Sequence, residues 1–432
     1  MTSTFDLTHL DRFAGTSTSI RRPREFAHFS YDDTHTLKPL SAESLSYYYP
    51  PVFGAPGVEE HRPDLSAGFK NFRQRDDSVD EHLDGLLDTL QAYEEALLVK
   101  MEGGEDEVEV ANVRVKADVV TWRGMMTKIL TVAFDDFSDF EMNATCFQGT
   151  IPQAYTGVKL HRRKSGLQGG PATVTELATT ASRGSLAGND AVLGSVQPPL
   201  PCLLPVPMLT VTSPGYKFEC ISTLQAPWAN TTRADIESRE TLIVSNNPQY
   251  CSMVRTGIGA TSLILAGEVD CVLVEKPERP DQPIPWIELK TSAEPGNLSN
   301  LREAVKYERK LLRYWAQSFL LGVPKIMVGY RTPDGFLTRI AELETQRIPA
   351  QVKRGAHTWD GNLCINLTAA FLEFLTQTVV GSGVWRIRRW KNWRMIEVFK
   401  TEEVVMENIL KQSFRTHREK LRGLEIAAAL AK

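Results

Sequence analysis

The sequence predicts a mixed α/β protein built as one large domain, and three features carry that expectation. Between residues 215 and 345, short apolar runs suited to strands (TSLILAG, PWIELKT, KIMVGYR) alternate with one long amphipathic helix at 301–321. The composition, 42% hydrophobic and 24% charged over 432 residues, is that of a chain with a sizeable core. No central linker divides the chain into two folding units.

Residues 1–75 are rich in Pro, Tyr and Ser and read as a loop-dominated segment with occasional strands. Over 79–98, Leu83, Leu86, Leu87, Leu90, Tyr93 and Leu97 recur every three to four residues, which predicts a structural amphipathic helix. An acidic stretch leads into VEVANVRVKADVVTW, whose β-branched residues predict a strand or a short segment buried in the core, with Arg123 directly after it. Residues 152–213 have no useful helical or strand period and read as a disordered or atypical insertion. In the helix at 301–321, Leu311, Trp315 and Phe319 share the buried face, while Lys310, Arg313, Tyr314 and Gln317 turn to another. An apolar segment at 369–375, a basic aromatic stretch at 384–400 and a helix at 402–430 close the chain. Residues 384–394 read equally as a surface that stacks and neutralises RNA or as an edge strand with its basic side chains outward.

The net charge of -4 and pI near 6.1 exclude a protein that coats nucleic acid by bulk electrostatics, so any nucleic-acid contact has to be local. Six cysteines without a CxxC pair and eight histidines without HxxxH spacing exclude a structural zinc site of the usual kind. The N-terminus has no signal-peptide pattern and no run approaches membrane-spanning length, so no membrane partner and a cytosolic or nuclear location are expected. Basic runs at 21–24 and 161–164 are candidate nuclear-import signals, though solvated surface accounts for such runs as well.

Two segments point to chemistry, Glu268-Val269-Asp270 and Glu288-Leu289-Lys290. In a strand, each sends its two charged residues to one face, and a hairpin-like return through Pro277, Pro280, Pro283 and Pro285 would bring the two segments together. Converging carboxylates repel, and a hard divalent cation with oxygen ligands, Mg²⁺ or Mn²⁺, resolves the repulsion. Lys290 on the same face would orient water or neutralise a phosphate. This is the D…ExK logic of PD-(D/E)xK nucleases. Alternating charges on a solvent-facing strand give the same spacing, but here both segments lie within apolar runs, where charges are costly without partners. GYKFE, ending at Glu219, shows similar alternation and adds a carboxylate.

The motifs RPREFAHFS, RDDSVDEHLDGLL, VTWRG, FEMNATCFQGTI, GYKFE, NNPQYCSMVRTGIG, GEVD, WIELKTSAE and WAQSFLLGVPKIMVGYR occur in this order over most of the chain. On them the chain resembles the DXO/decapping-nuclease family, particularly its fungal branch, whose members associate with the nuclear 5′→3′ exoribonuclease. The resemblance implies two twisted β-sheets with flanking helices around a PD-(D/E)xK-like core. It implies metal ligation by Glu219, Asp270, Glu288 and the backbone carbonyl of Leu289, with Glu268 acting directly or through water. Lys290 and Gln317 would hold the phosphate, and Arg123 within Trp122-Arg123-Gly124 would contact the substrate nucleotide. Cys251, Arg22 and Glu81 are weaker candidates for lining the pocket. Expected substrates are 5′-triphosphate RNA, incompletely capped RNA and NAD-capped RNA, in the nucleus. The rival expectation is a non-catalytic stabilising subunit of the exoribonuclease. The segment 152–213 departs from the family pattern where the fungal partner surface lies.

Overall fold

The structure, a computed structural model, describes residues 2–53, 61–76, 78, 81–103, 109–147, 157–162, 213–279 and 282–431. The first half of the chain contributes β1 (Thr2–Asp6), β2 (Ile20–Tyr31), β3 (Leu37–Pro39), β4 (Tyr47–Tyr48), β5 (Val119–Trp122), β6 (Phe140–Phe147), β7 (Gly157–Arg162) and β8 (Thr223–Leu224). The second half adds β9 (Gln249–Ile258), β10 (Thr261–Glu268), β11 (Cys271–Val272), β12 (Trp286–Ala293), β13 (Lys325–Arg331), β14 (Leu337–Glu344), β15 (Val384–Arg389) and β16 (Met395–Thr401). The helices are α1 (Asp84–Glu102), α2 (Val110–Val113), α3 (Arg123–Thr131), α4 (Ser213–Ser222), α5 (Arg233–Ser238), α6 (Leu301–Leu321), α7 (Ile348–Arg354), α8 (Gly361–Thr378) and α9 (Gln412–Leu430).

The strands form two mixed sheets, one ordered β1-β16-β15-β6-β7-β5-β10-β9-β2-β3 and the other β14-β13-β12-β11-β4-β8. The main core draws on both sheets, through Leu263, Leu265, Trp286 and Ile326, and on α3, α6 and α8, through Ile129, Trp315 and Phe371. On its other face the larger sheet buries Ile264, Ala266 and Met253 against Leu86, Leu90 and Phe414 of α1 and α9. The smaller sheet buries Ile287, Leu289 and Met327 against Phe218 and Ile221 of α4. The fold is thus the expected mixed α/β arrangement of two sheets with flanking helices. No helix among the described residues is long and apolar enough to cross a membrane.

α6 has the bounds read from the sequence, because Asn300 accepts from the Arg302 N–H at one end and Gly322, with φ of 74°, closes the other. Four expectations change. The N-terminal segment is not loop-dominated, since β2 runs for 12 residues beside β9, its pattern obscured by Pro23 and by two register shifts. The run LILAGEVDCVLV is not one strand: β10 ends in the larger sheet at Glu268 and β11 begins in the smaller one at Cys271. GYKFE is helical, because Phe218 and Ile221, three residues apart, pack into the same cluster, which a strand would not allow. β15 is no edge strand; it lies between β16 and β6, with Trp385, Arg386 and Arg389 buried.

The final helix begins at Gln412, later than the spacing suggests. Of the segment 152–213, only β7 and Ser213 fall among the described residues, and β7 continues the larger sheet between β5 and β6. The remainder of that expected insertion lies outside them.

Candidate active site

Where the chain passes from β10 to β11 it leaves one sheet and enters the other, and the two acidic residues of Glu268-Val269-Asp270 sit on that passage. The hairpin-like return is present: β11 pairs antiparallel with β12, Cys271 opposite Ile287. An Asp270 carboxylate oxygen accepts the Leu289 N–H at 2.6 Å, which pins the passage to the centre of β12. Along β12, Ile287 and Leu289 face α4, while Trp286 two residues before Glu288 joins the main core, so Glu288 and Lys290 share the face opposite to Leu289.

Glu288 is the hub. It is 1% exposed, yet it accepts hydrogen bonds from Lys290 Nζ, from Gln317 Nε2 at 2.7 Å and from Arg123 Nη1 at 3.4 Å. Gln317 reaches it because Lys310, Tyr314 and Gln317, at i, i+4 and i+7, lie along one stripe of α6 facing β12. Lys310 donates to Ser292 Oγ at 2.8 Å and the Tyr314 hydroxyl to the Thr291 carbonyl at 3.5 Å. Arg313, expected on the same face, instead meets Asp135 at 3.4 Å.

Arg123 opens α3 directly after β5, which pairs in parallel with β10. Gly267 makes room for it: a Cβ there would stand 2.9 Å from Arg123 Cβ and 3.0 Å from Leu321 Cδ1. Gly267→Ala is therefore expected to push the start of α3 off β10, costing about 1–3 kcal/mol of stability and moving Arg123 away from Glu288. Denaturant unfolding together with the steady-state KM checks this, and a variant with unaltered stability contradicts it.

Electrostatics divide the carboxylates. Burial raises the Glu219 pKa well above its ordinary value, and the charges of Asp270 and Glu268 add to the rise. Burial and then Glu288 push Asp270 up to about 7 against the pull of Lys290. Glu268 is raised by burial and Glu288, with Arg123 opposing. Burial would raise Glu288 too, but Lys290 and Arg123 outweigh it and hold that carboxylate below its usual value. Burial would lower Lys290, but Glu288 and Asp270 reverse the sign. When all four are ionised, these mutually repelling carboxylates outnumber Lys290 and Arg123 by two, with Arg75 also acting on Glu268. At the margin Arg75 stands 3.9 Å from Glu81. Among the described residues no three His, Cys, Asp or Glu side chains are drawn together tightly enough to enclose an ion as they stand. The donor set nevertheless fits a hard divalent cation, being all oxygen, buried and doubly negative in excess.

The other expected site residues divide by location. Cys251 is buried on β9 opposite Glu268, and burial with the Glu268 charge raises its thiol pKa, so it backs the centre as an inert wall. The Trp122 indole donates to the His82 carbonyl at 2.7 Å and ties the start of α1 to the site, and Gly124 lies exposed in the first turn of α3. The Glu81 carboxylate accepts from His35 Nε2 at 2.7 Å, at the margin. Arg22 is not with the carboxylates; it is exposed and lines a cleft with Arg24, Glu25, Gln282 and Trp286. Sequence reasoning missed Gln249, whose amide stands 3.5 Å from Glu268, and the glycine Gly267; the antiparallel register of β9 with β10 is the signal that finds the former.

An acidic, lysine-bearing centre at the junction of two mixed sheets is the site of a PD-(D/E)XK-type nuclease. Residues 21–415 match the model of the RAI1-like PD-(D/E)XK nucleases, and the chain belongs to that family. The decapping nuclease RAI1 of Emericella nidulans is 46% identical over 416 residues, covering 96% of this chain and 98% of its own. The human decapping and exoribonuclease protein is 31% identical, covering 85% of this chain and 78% of its own. Among solved structures, Candida albicans Rai1 in complex with pU5 and Mn²⁺ superimposes with a TM-score of 0.73 at 23% identity, covering 98% of this chain and 100% of its own. The chain is accordingly an enzyme, a nuclease of the decapping class that hydrolyses RNA.

Proposed function

We propose that this enzyme uses a divalent cation to process RNA 5′ ends, removing incomplete and NAD caps and releasing pyrophosphate from 5′-triphosphate RNA. The observation that carries the reading is a buried centre of four carboxylates which, once ionised, outnumber the adjacent cations Lys290 and Arg123 by two. In this reading Glu219, Glu268, Asp270, Glu288 and the Leu289 carbonyl hold Mg²⁺ or Mn²⁺. Such a cation, when bound, lowers the pKa of a coordinated water and offsets phosphate charge. The Mn²⁺ of the Candida albicans complex is the kind of ion that this donor set suits.

The chain's own groups do the positioning. Glu288 holds the Lys290 ammonium and the Gln317 amide side by side on one face of β12, where both can donate to a phosphate oxygen. Arg123 approaches the same carboxylate from α3 and supplies a guanidinium for a second phosphate. Water adds to the α-phosphorus of a 5′-triphosphate end and pyrophosphate leaves. Nuclear residence beside a 5′→3′ exoribonuclease belongs to the same proposal, resting on the fungal resemblance, and co-purification of that enzyme with the tagged chain tests it. A purely stabilising subunit has no use for four buried carboxylates and a lysine, so the catalytic reading is preferred.

The test is a panel of 5′-triphosphate, unmethylated-cap and NAD-capped RNAs with Mg²⁺ or Mn²⁺. Release of pyrophosphate or cap is expected from the wild type and not in EDTA. Intact substrates throughout would sink the proposal.

A further inference from the structure

The catalytic centre leaves unused the basic aromatic turn after β15 and the basic N-terminal half of α6. We propose that these two surfaces, with Phe137 between them, form a track for the single-stranded body of the RNA whose 5′ end is processed at the carboxylate centre. The proposal rests on the 5′-end reading above.

A cleft of about 810 Å³ runs along α6, between its basic residues and Phe134–Phe137. Phe137 stands 63% exposed, with Arg309 5.8 Å and Lys391 5.6 Å from its ring centre, so two cations lie within reach of the ring. Beyond Lys391, Trp390 and Trp393 are 43% and 41% exposed, their centroids 6.5 Å apart in an edge-on arrangement. Three exposed large rings interleaved with cations are the elements of a stacking platform for unpaired bases with charge for the backbone.

Charge pairing points the same way. Three carboxylates of this region are already engaged: Asp135 with Arg313 at 3.4 Å, Asp136 with Arg394 at 3.3 Å and Glu303 with Lys306 at 3.9 Å. Arg302, Arg309 and Lys391 have no carboxylate within ion-pair distance among the described residues. In a protein of net charge -4, unpaired cations gathered around exposed rings define a local polyanion surface.

The cleft also adjoins the chemistry. Lys310 lines it and donates to Ser292 Oγ, four residues along β12 from Glu288, about 13 Å at the rise of a strand. The same helix presents Gln317 to Glu288, so α6 connects track and centre rigidly. An acidic peptide would use the cations and leave the rings idle, which favours RNA as the occupant.

The experiment uses the full chain with two double variants, Phe137→Ala/Trp390→Ala and Arg302→Ala/Arg309→Ala. Fluorescence anisotropy with labelled oligouridylate of roughly 20 nucleotides, longer than the ~4–16 such tracks cover, reads binding in EDTA, where no turnover interferes. Turnover of a 5′-triphosphate dinucleotide with Mn²⁺ reads the centre. The ring variant is expected to weaken oligouridylate binding on the order of 10–100-fold. The arginine variant should lower the salt slope of log K by about 0.7 for each phosphate no longer neutralised. Both should retain dinucleotide turnover. Unchanged oligouridylate binding in both variants overturns the track, as does an equal fall in dinucleotide turnover, or displacement of the RNA by polyglutamate as readily as by unlabelled oligouridylate. A wild type that binds oligouridylate yet hydrolyses no 5′ end would leave the track standing and remove the 5′-end reading.

Discussion

Alanine in place of Glu288 is expected to abolish hydrolysis and destabilise the fold in one step. The carboxylate is almost wholly buried and accepts from Lys290, Gln317 and Arg123. Removing it takes away the buried acceptor that Lys290, Gln317 and Arg123 share, and breaking a buried pair from one side costs roughly 3–5 kcal/mol. Turnover should fall by at least ~10²–10³, the loss typical when a group stabilising the transition state is removed. Glu288→Gln separates the two effects. It keeps the volume and part of the hydrogen bonding, so it should recover much of the stability while leaving turnover low. Urea unfolding and single-turnover hydrolysis of the same three proteins check both halves, and wild-type turnover in Glu288→Gln would contradict the role given to the charge.

The second large effect is a stability that runs against pH in metal-free protein. Burial and like charges raise Glu219, Glu268 and Asp270, the last to about 7. A raised folded-state pKa means that the native state holds protons the unfolded chain releases near pH ~3.9. That stability is complete below the unfolded value and is lost as pH rises through about 7 for Asp270. Glu288, held low by Lys290 and Arg123, has the opposite sign, and its contribution is lost as pH falls through its lowered value. In EDTA the melting temperature should therefore decline between about pH 5 and 8. Mn²⁺ in place of EDTA should raise the unfolding free energy by roughly 2.7 kcal/mol at a hundredfold excess over Kd, and more at pH 8 than at pH 5, because ligation requires ionised carboxylates. A profile that is flat in EDTA, or a larger Mn²⁺ gain at pH 5, would contradict this account.

Local periodicity made much of the fold legible. α6 and β12 carry strong patterns with clear ends, and both appear where the spacing put them. The passage at Val269 and Asp270 was not legible, because a strand buried in one sheet and a strand buried in another have the same apolar signature. Only pairing partners distinguish them, β9 and β5 for β10, β12 and β4 for β11. Glu219 illustrates a different limit. Five residues of alternation look like a strand, and the i, i+3 pair Phe218 and Ile221 that marks a helix extends beyond that window.

The candidate site followed the same division. Glu288 and Lys290 on one face of a strand could be read from spacing, and Glu219 was an added carboxylate from the alternation of GYKFE. The ordered motifs supplied Arg123 and the site role of Gln317. What no spacing conveys is that Arg22, close in sequence to other family residues, lines a different cleft, or that Gly267 is small because Arg123 crosses it. The turn at Trp390 and Trp393 was noticed as composition alone. Its burial pattern shows Trp385, Arg386 and Arg389 inside and the turn outside, which separates structural arginines from available ones.

The central claim is that Glu219, Glu268, Asp270 and Glu288 form one centre for a divalent cation. Calorimetric titration of Mn²⁺ into metal-free protein near pH 8 tests it most directly, with wild type compared against Glu219→Ala and Asp270→Ala. Saturable Mn²⁺ uptake by the wild type, weakened on the order of 10–100-fold or lost in both variants, is the expected result. Uptake by either variant with the affinity of the wild type, or none by the wild type, would contradict the claim.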